Sequence, residues 1–336
     1  MYMNRLSYVS THWTGLVCGL LFGTTLTGCL SNRQASFTLN QIASDNCVID
    51  SSGTSGYVFH PVDVARGSAD DSLLRRRFGE RGLRMAQAVG LPTLMAQLTR
   101  LERQQAAGGT LSADYLTLRQ RLTDQLQLAS FDIAAATALV ACDAKRANLT
   151  ATLLTRRENS REKRMTISAI TIGAVAIIGA SLLNLHEQPR TADWFHIAGG
   201  VGEGGLGVLA LRQKPPRATY AHQRNPLRDI WTRARTSSTF PPLVWYYLNH
   251  PKSAGAPSPI DALRRRWEML VKLDAGAKKT RTPGRREVDY FGDGDTYTAE
   301  ELTVRASMLG QLETDIQLMN NDLTILLNEI ARPARQ

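Results

Sequence analysis

The sequence predicts a mainly α-helical protein. We expect an elongated helical bundle in which one long helix ends in an apolar, glycine-rich helical hairpin, beside a small aromatic-rich section with short helices and a candidate β-hairpin. Three observations predict this. Apolar residues recur at alternating steps of three and four from Tyr115 to Val140, without a proline. Residues 165–185 carry neither charge nor proline, and residues 298–336 repeat the helical spacing behind a capping box.

The N-terminus has a weakly positive start, an apolar core at residues 16–26, and small residues before Cys29. This order is typical of a secretory signal over residues 1–28, because the core is too short to span a bilayer. The residues LTGC at 26–29 resemble the lipobox of bacterial lipoproteins. The resemblance covers only this segment. It implies removal of the signal and acylation of Cys29, and several acyl chains make a stable membrane anchor.

Leu30 follows the lipobox cysteine in place of an aspartate. By lipoprotein sorting, the resemblance therefore implies the outer membrane, with the protein facing the periplasm. The alternative is an uncleaved N-terminal anchor in which Cys29 is incidental.

Residues 29–68 are rich in serine, threonine, asparagine and glycine, which predicts a tether. A helical region spans residues 69–185. Ser68 can cap its first helix, and Pro92 is expected to divide the early part into two helices. From Ser112 to about residue 185 the pattern predicts one long helix with a packing seam.

Residues 186–216 supply a turn and a second apolar arm rich in glycine. Small residues let helix backbones approach closely. We therefore expect the two arms to pack at Gly173, Gly179, Gly199, Gly200, Gly202, Gly204, Gly205 and Gly207.

Three placements of this hairpin stay open: packing within the protein or an oligomer, insertion of residues 165–211 into a bilayer, and adsorption on a membrane surface. The first arm is long enough to span, since about 20 residues are needed. Glu203 in the second arm and the basic flanks of both arms oppose simple insertion.

Residues 217–297 are rich in proline and aromatic residues and predict short helices. Their aromatic side chains could form a small core or line a groove for peptidoglycan or a polypeptide. These are Trp231, Phe240, Trp245, Tyr246, Tyr247 and Trp267. Residues 298–336 predict a C-terminal helix whose apolar seam can lie beside the long helix.

Four cysteines are present, and Cys18 lies within the signal while Cys29 lies in the lipobox. Cys47 and Cys142 remain. An even pair in an oxidising compartment suggests a disulfide, and the alternative is two independent buried thiols.

The chain carries 40 Lys+Arg against 30 Asp+Glu, and loss of the signal removes only Arg5. In an exported protein this excess favours anionic lipid, lipopolysaccharide or an acidic protein as partner, and not nucleic acid. The cations also alternate with carboxylates on predicted helices, a pattern typical of a solvated face.

Motifs for chemistry are weak. Residues 202–207 satisfy GxGxxG, but without the strand and the later acid that dinucleotide binding needs. Residues 289–300 match part of an EF-hand loop, with Phe291 at a ligand position. Ser160 and Lys163 match SxxK without companion motifs, and the histidines show no HExxH spacing. We therefore expect no enzymatic activity, no cofactor and no metal.

The sequence leaves two functions in competition. The first is an outer-membrane-anchored structural or assembly component, which associates with itself or with an envelope machine such as a secretion or transport apparatus. The second is a membrane-active protein whose hairpin enters a bilayer, similar in architecture to helical pore-forming toxins. Glu203 and the basic flanks favour the first function, and the uninterrupted first arm favours the second.

Overall fold

A computed structural model describes residues 47, 58–64, 68–107, 112–185, 214–222, 224–253, 255–277 and 290–332. In these residues the chain is mainly helical, as predicted, with eight helices and one two-stranded sheet. In chain order the elements are α1 (Ala69–Arg77), α2 (Glu80–Val89), α3 (Pro92–Ala106), α4 (Ala113–Leu185), β1 (Ala218–Ala221), α5 (Pro226–Thr232), α6 (Pro242–Asn249), α7 (Pro259–Ala277), β2 (Gly294–Tyr297) and α8 (Ala299–Ala331).

The first helical stretch forms three helices where the sequence predicted two. Ser68 caps α1 as expected, and the break before Pro92 follows Gly90, which adopts a left-handed backbone with φ of +79°. The additional break lies at Gly79, whose backbone N–H donates to the Glu329 carboxylate at 3.1 Å. Glu329 lies on α8, so a contact distant in sequence sets this break and the local pattern does not contain it.

Helices α4 and α8 lie side by side and form the spine of the molecule. The predicted capping box starts α8: Thr298 Oγ1 accepts from the N–H of Glu301 at 3.3 Å, and the Glu301 carboxylate accepts from the N–H of Thr298 at 2.9 Å. The predicted seam of α4 is buried at Leu118, Leu122, Leu126, Ala129, Ile133, Ala136 and Val140. The seam of α8 is buried at Leu302, Leu309, Leu312, Ile316, Met319, Leu323, Leu326 and Ile330. Leu327, which the pattern assigned to this seam, is 37% exposed.

The short helices α5 and α6, together with the 19-residue α7, add an aromatic core beside α4 and α8. Trp231 stacks on Phe291 with ring centroids 4.2 Å apart, and Trp231 and Tyr246 are partly buried. Four further aromatic residues are buried: Trp267, Tyr247, Phe240 and Trp245. Core packing, the first of the two interpretations of these residues, is therefore confirmed.

The two strands are antiparallel, in the register Ala218 to Tyr297, Thr219 to Thr296, Tyr220 to Asp295 and Ala221 to Gly294. The sequence pattern predicted a local hairpin over residues 288–298. Instead, β2 pairs with the distant β1, and Tyr290 and Phe291 are helical and buried. Gly294 permits this pairing: its φ is +110°, and a Cβ there would lie 2.3 Å from the carbonyl oxygen of Tyr220.

Candidate functional site

The candidate site is the end of α4 that extends past the packed body. Leu154 is buried, whereas no residue from 155 to 164 is. We call residues 155–178 the projecting segment, residues 155–164 its collar and residues 165–178 its tip. At about 1.5 Å per residue the projecting segment is roughly 36 Å long.

The tip exposes large aliphatic side chains. Between 41% and 65% of each is accessible to solvent at Ile167, Ile170, Ile172, Val175, Ile177 and Ile178. By length and composition, α4 is the one helix in the described residues that could cross a membrane. Its most apolar stretch of 18 residues is 28% buried within the protein. A contiguous apolar surface of this kind marks a contact with a protein or a membrane.

Three small residues of the tip are less exposed than the isoleucines. Gly173 and Ala176 are buried and Ala169 is half-buried. At about 100° per residue, these three positions fall within about 60° of one another around the helix. The packing of Gly173 against the second arm stays a prediction. Gly179 lies in α4, but its burial is not described. The predicted packing glycines from Gly199 to Gly207 lie outside the described residues.

The collar is strongly basic. Residues 156–164 contain five cations and two carboxylates: Arg156, Arg157, Glu158, Arg161, Glu162, Lys163 and Arg164. Ser160, the serine of the SxxK match, donates its hydroxyl to the carbonyl of Arg156 at 2.8 Å, an ordinary helix contact.

A buried polar cluster fixes α4 to the body below this segment. We call Asp143, Arg146, Tyr220, Asn225 and Arg305 the hub. Arg305 of α8 binds the Asp143 carboxylate at 2.7 Å, and Arg146 binds the same carboxylate at 3.0 Å. Tyr220 of β1 donates to Asp143 at 2.8 Å and accepts from Arg146 Nε at 2.8 Å. The hub therefore joins α4, α8 and the sheet through charge-assisted hydrogen bonds.

The electrostatics of the hub keep its groups in one protonation state. Burial alone would raise the pKa of Asp143, but Arg305 and Arg146 more than offset this, and the pKa lies below its ordinary value. Beside the hub, burial and then the charge of Arg305 lower the pKa of His222 to about 2. His222 Nε2 lies 3.0 Å from the hydroxyl of Tyr297. A neutral, enclosed imidazole of this kind contributes to packing and hydrogen bonding.

A disulfide joins Cys47 and Cys142, with their Cα atoms 5.8 Å apart and 95 residues between them in sequence. The predicted pairing is therefore present in the structure. Cys142 precedes Asp143 of the hub, so the disulfide attaches the N-terminal part of the chain to α4 where α4 is held most firmly.

A polar cleft of about 610 Å³ lies between α1, α2 and the end of α6. Its charged lining is balanced between Asp63, Asp71, Glu80, Arg75, Arg84 and Lys252. Several of these groups pair with neighbours: Asp71 with Arg75, and Asp63 with the hydroxyl of Tyr246. Arg84 pairs with Asp322 of α8. Balanced, internally paired charge gives the cleft no clear preference for anions or cations.

The remaining sequence motifs are dispersed. Asp229 accepts from Ser237 and does not contact His222, whereas His250 stacks on Tyr246 with ring centroids 3.7 Å apart. Within the described ranges, no group of three or more His, Cys, Asp or Glu residues could hold a metal ion. The lipobox and the GxGxxG residues lie outside these ranges.

Sequence reasoning missed the hub. Asp143 and Arg305 are far apart in sequence and each resembles a charge on a solvated face. The signal that could have found them is positional, since each falls in phase with the buried seam of its own helix. No family model, curated protein or solved structure matches this chain.

Proposed function

We propose that this chain is a lipid-anchored, non-enzymatic structural or assembly component of the bacterial cell envelope. Acyl chains on Cys29 hold it in the outer membrane, where it faces the periplasm. The body mounts the projecting segment as a contact for the membrane, for further copies or for an envelope protein. The single observation that carries this proposal is a long helix fixed firmly at its base whose end presents an exposed apolar surface.

The firm mounting supports the proposal because it is built from three independent attachments. The α4 seam is buried against α8, the hub holds Asp143, and the disulfide ties down Cys142. Most of the stability of a helix in a protein comes from tertiary packing, so these three attachments stabilise the base of α4. A protein that stabilises one end of a helix so thoroughly can present the other end at a fixed distance and orientation.

Labelled fatty acid tests the anchor. We expect the native chain to incorporate the label and to fractionate with the outer membrane, because the LTGC segment directs acylation of Cys29. The Cys29→Ala variant should lose the label and leave the outer-membrane fraction, while Cys18→Ala serves as the matched control and should keep both properties. Label retained by Cys29→Ala would contradict the lipoprotein assignment.

The second candidate function is membrane activity, in which residues 165–211 enter a bilayer and permeabilise it. The exposed isoleucines of the tip favour this candidate. Dye release from sealed vesicles separates it from the first. A structural component should bind without release, whereas a pore-forming protein should release the dye in a dose-dependent manner that Ile170→Asn abolishes.

A further inference from the structure

The projecting segment has two chemically different faces. Counting about 100° per residue from Arg156, Ala169, Gly173 and Ala176 of the tip fall between about 200° and 260°. Glu158 and Glu162 of the collar fall on this same face, which is where Gly173 and Ala176 are buried. We call this the inner face.

The opposite side carries the large and the basic residues. The five collar cations fall on an arc of about 160° centred on the side away from the inner face. The exposed aliphatic residues of the tip lie on a wider arc of the helix, and this arc includes the arc of the five cations. These residues are Ile167, Ile170, Ile172, Val175, Ile177 and Ile178. We call this combined surface the outer face.

The spacing along the outer face matches the layers of a membrane leaflet. From Met165 to Ile178 the tip measures about 20 Å, which exceeds half of a hydrocarbon core of about 30 Å. The cations of the collar lie directly below the tip, at the depth of the lipid headgroups. Long basic side chains can keep their charge in that layer while their stems cover apolar surface.

A second copy of the chain fits the outer face poorly. Two parallel copies would bring five cations of one collar against five of the other, and like charges at close range cost free energy. Two antiparallel copies would place arginines against isoleucines. In an anionic bilayer the headgroups can pair with the cations of the collar while the acyl chains cover the isoleucines of the tip.

We propose that the outer face of the projecting segment docks into an anionic bilayer, in the same membrane that holds the acyl chains of Cys29. The second clause rests on the proposed function. The distance allows it: the residues between Cys29 and Cys47 can span at most about 60 Å, and the tip begins about 35 Å along α4 from Cys142. The protein is thus attached to one membrane at two points, by lipid and by helix.

The experiment uses the mature chain with Cys29→Ser, so that no acyl chain contributes to binding. Because Cys47 and Cys142 pair, an added cysteine is the single free thiol of this chain. An environment-sensitive dye at Ile177→Cys should shift to the blue with vesicles containing phosphatidylglycerol. The same dye at Thr117→Cys, an exposed site at the base of α4, should not shift.

Charge variants test the collar. Arg161→Gln with Arg164→Gln should weaken binding to the anionic vesicles by about 30-fold, since each cation near such a surface contributes about a fivefold change in affinity. Arg119→Gln with Arg121→Gln removes two exposed cations from the same helix within the body and should leave binding within about twofold. Added salt should weaken the binding of the unsubstituted chain, which requires no variant to fold.

Three results would each overturn the proposal. The first is equal binding by the collar variant and its control, and the second is no dye shift with anionic vesicles. The third is association of the chain with itself in the absence of vesicles, measured by sedimentation and lost on Ile170→Asn, because the outer face would then pair with a second copy. Acylation of Cys29 is tested separately by fatty-acid labelling, so failure of the anchor and failure of the docking face are distinguishable.

Discussion

At the scale of single residues, Asp143 is a buried carboxylate that two buried arginines share. It pairs with Arg305, which is fully buried, and with Arg146, which is nearly so. Removal of one member of a buried ion pair is costly because the partner charge remains desolvated.

We therefore expect Asp143→Asn to lower the free energy of unfolding by about 3–5 kcal/mol in urea titrations. The matched control is Asp132→Asn on the same helix. Burial raises the pKa of Asp132, so this carboxylate gains nothing from its charge, and its replacement should be neutral or slightly stabilising. Equal losses in the two variants would show that the hub contributes no specific stability.

The same residue gives the stability a defined pH dependence. The pKa of Asp143 is lower in the folded chain than its ordinary value, so its contribution is fully present above about pH 4. It is lost as the pH falls through the folded pKa. The stability difference between the native chain and Asp143→Asn should therefore narrow below about pH 4, and a difference unchanged down to pH 2 would contradict the assignment.

At the scale of elements, the sequence predicts the parts whose signals are local. The length of α4, its seam, and the capping box of α8 all follow from spacing and from residues within one turn. The break at Gly79 and the pairing of β2 with β1 do not, because Glu329 and Tyr220 act on them from distant parts of the chain. The hub was not predicted for the same reason. The basic collar and the apolar tip were predicted, because their composition is local to one stretch of sequence.

Gly173 and Ala174 provide an element-scale test of the two faces of the projecting segment. Gly173 is buried on the inner face, whereas Ala174 is exposed on the outer face. We expect Gly173→Leu to overpack the inner face and cost about 1–3 kcal/mol, as measured by thermal unfolding without lipid. Ala174→Leu adds the same side chain one residue away and should be neutral. Similar unfolding temperatures for both would mean that the inner face is not a packing surface.

At the scale of the whole molecule, the contacts that hold α4 are all in the packed body, and the projecting segment is held in place through them. On α4, the residues of the disulfide, the hub and the buried seam all lie at or before Leu154. Strand β1 joins α4 below this point as well, where Arg146 donates to the hydroxyl of Tyr220 at 2.8 Å.

Since α4 runs unbroken from Ala113 to Leu185, the number of residues between the body and the tip fixes the direction in which the faces of the tip point. Two alanines inserted after Thr155 would turn the tip by about 200°, whereas seven helix-forming residues would turn it by about −20° and lengthen it by about 10 Å. We expect the two-residue insertion to bring the isoleucines to the inner face and lower the unfolding temperature. The larger insertion should preserve that temperature. Evolutionary change in the collar should therefore come in whole heptads, and single-residue insertions there should be harmful despite full exposure to solvent.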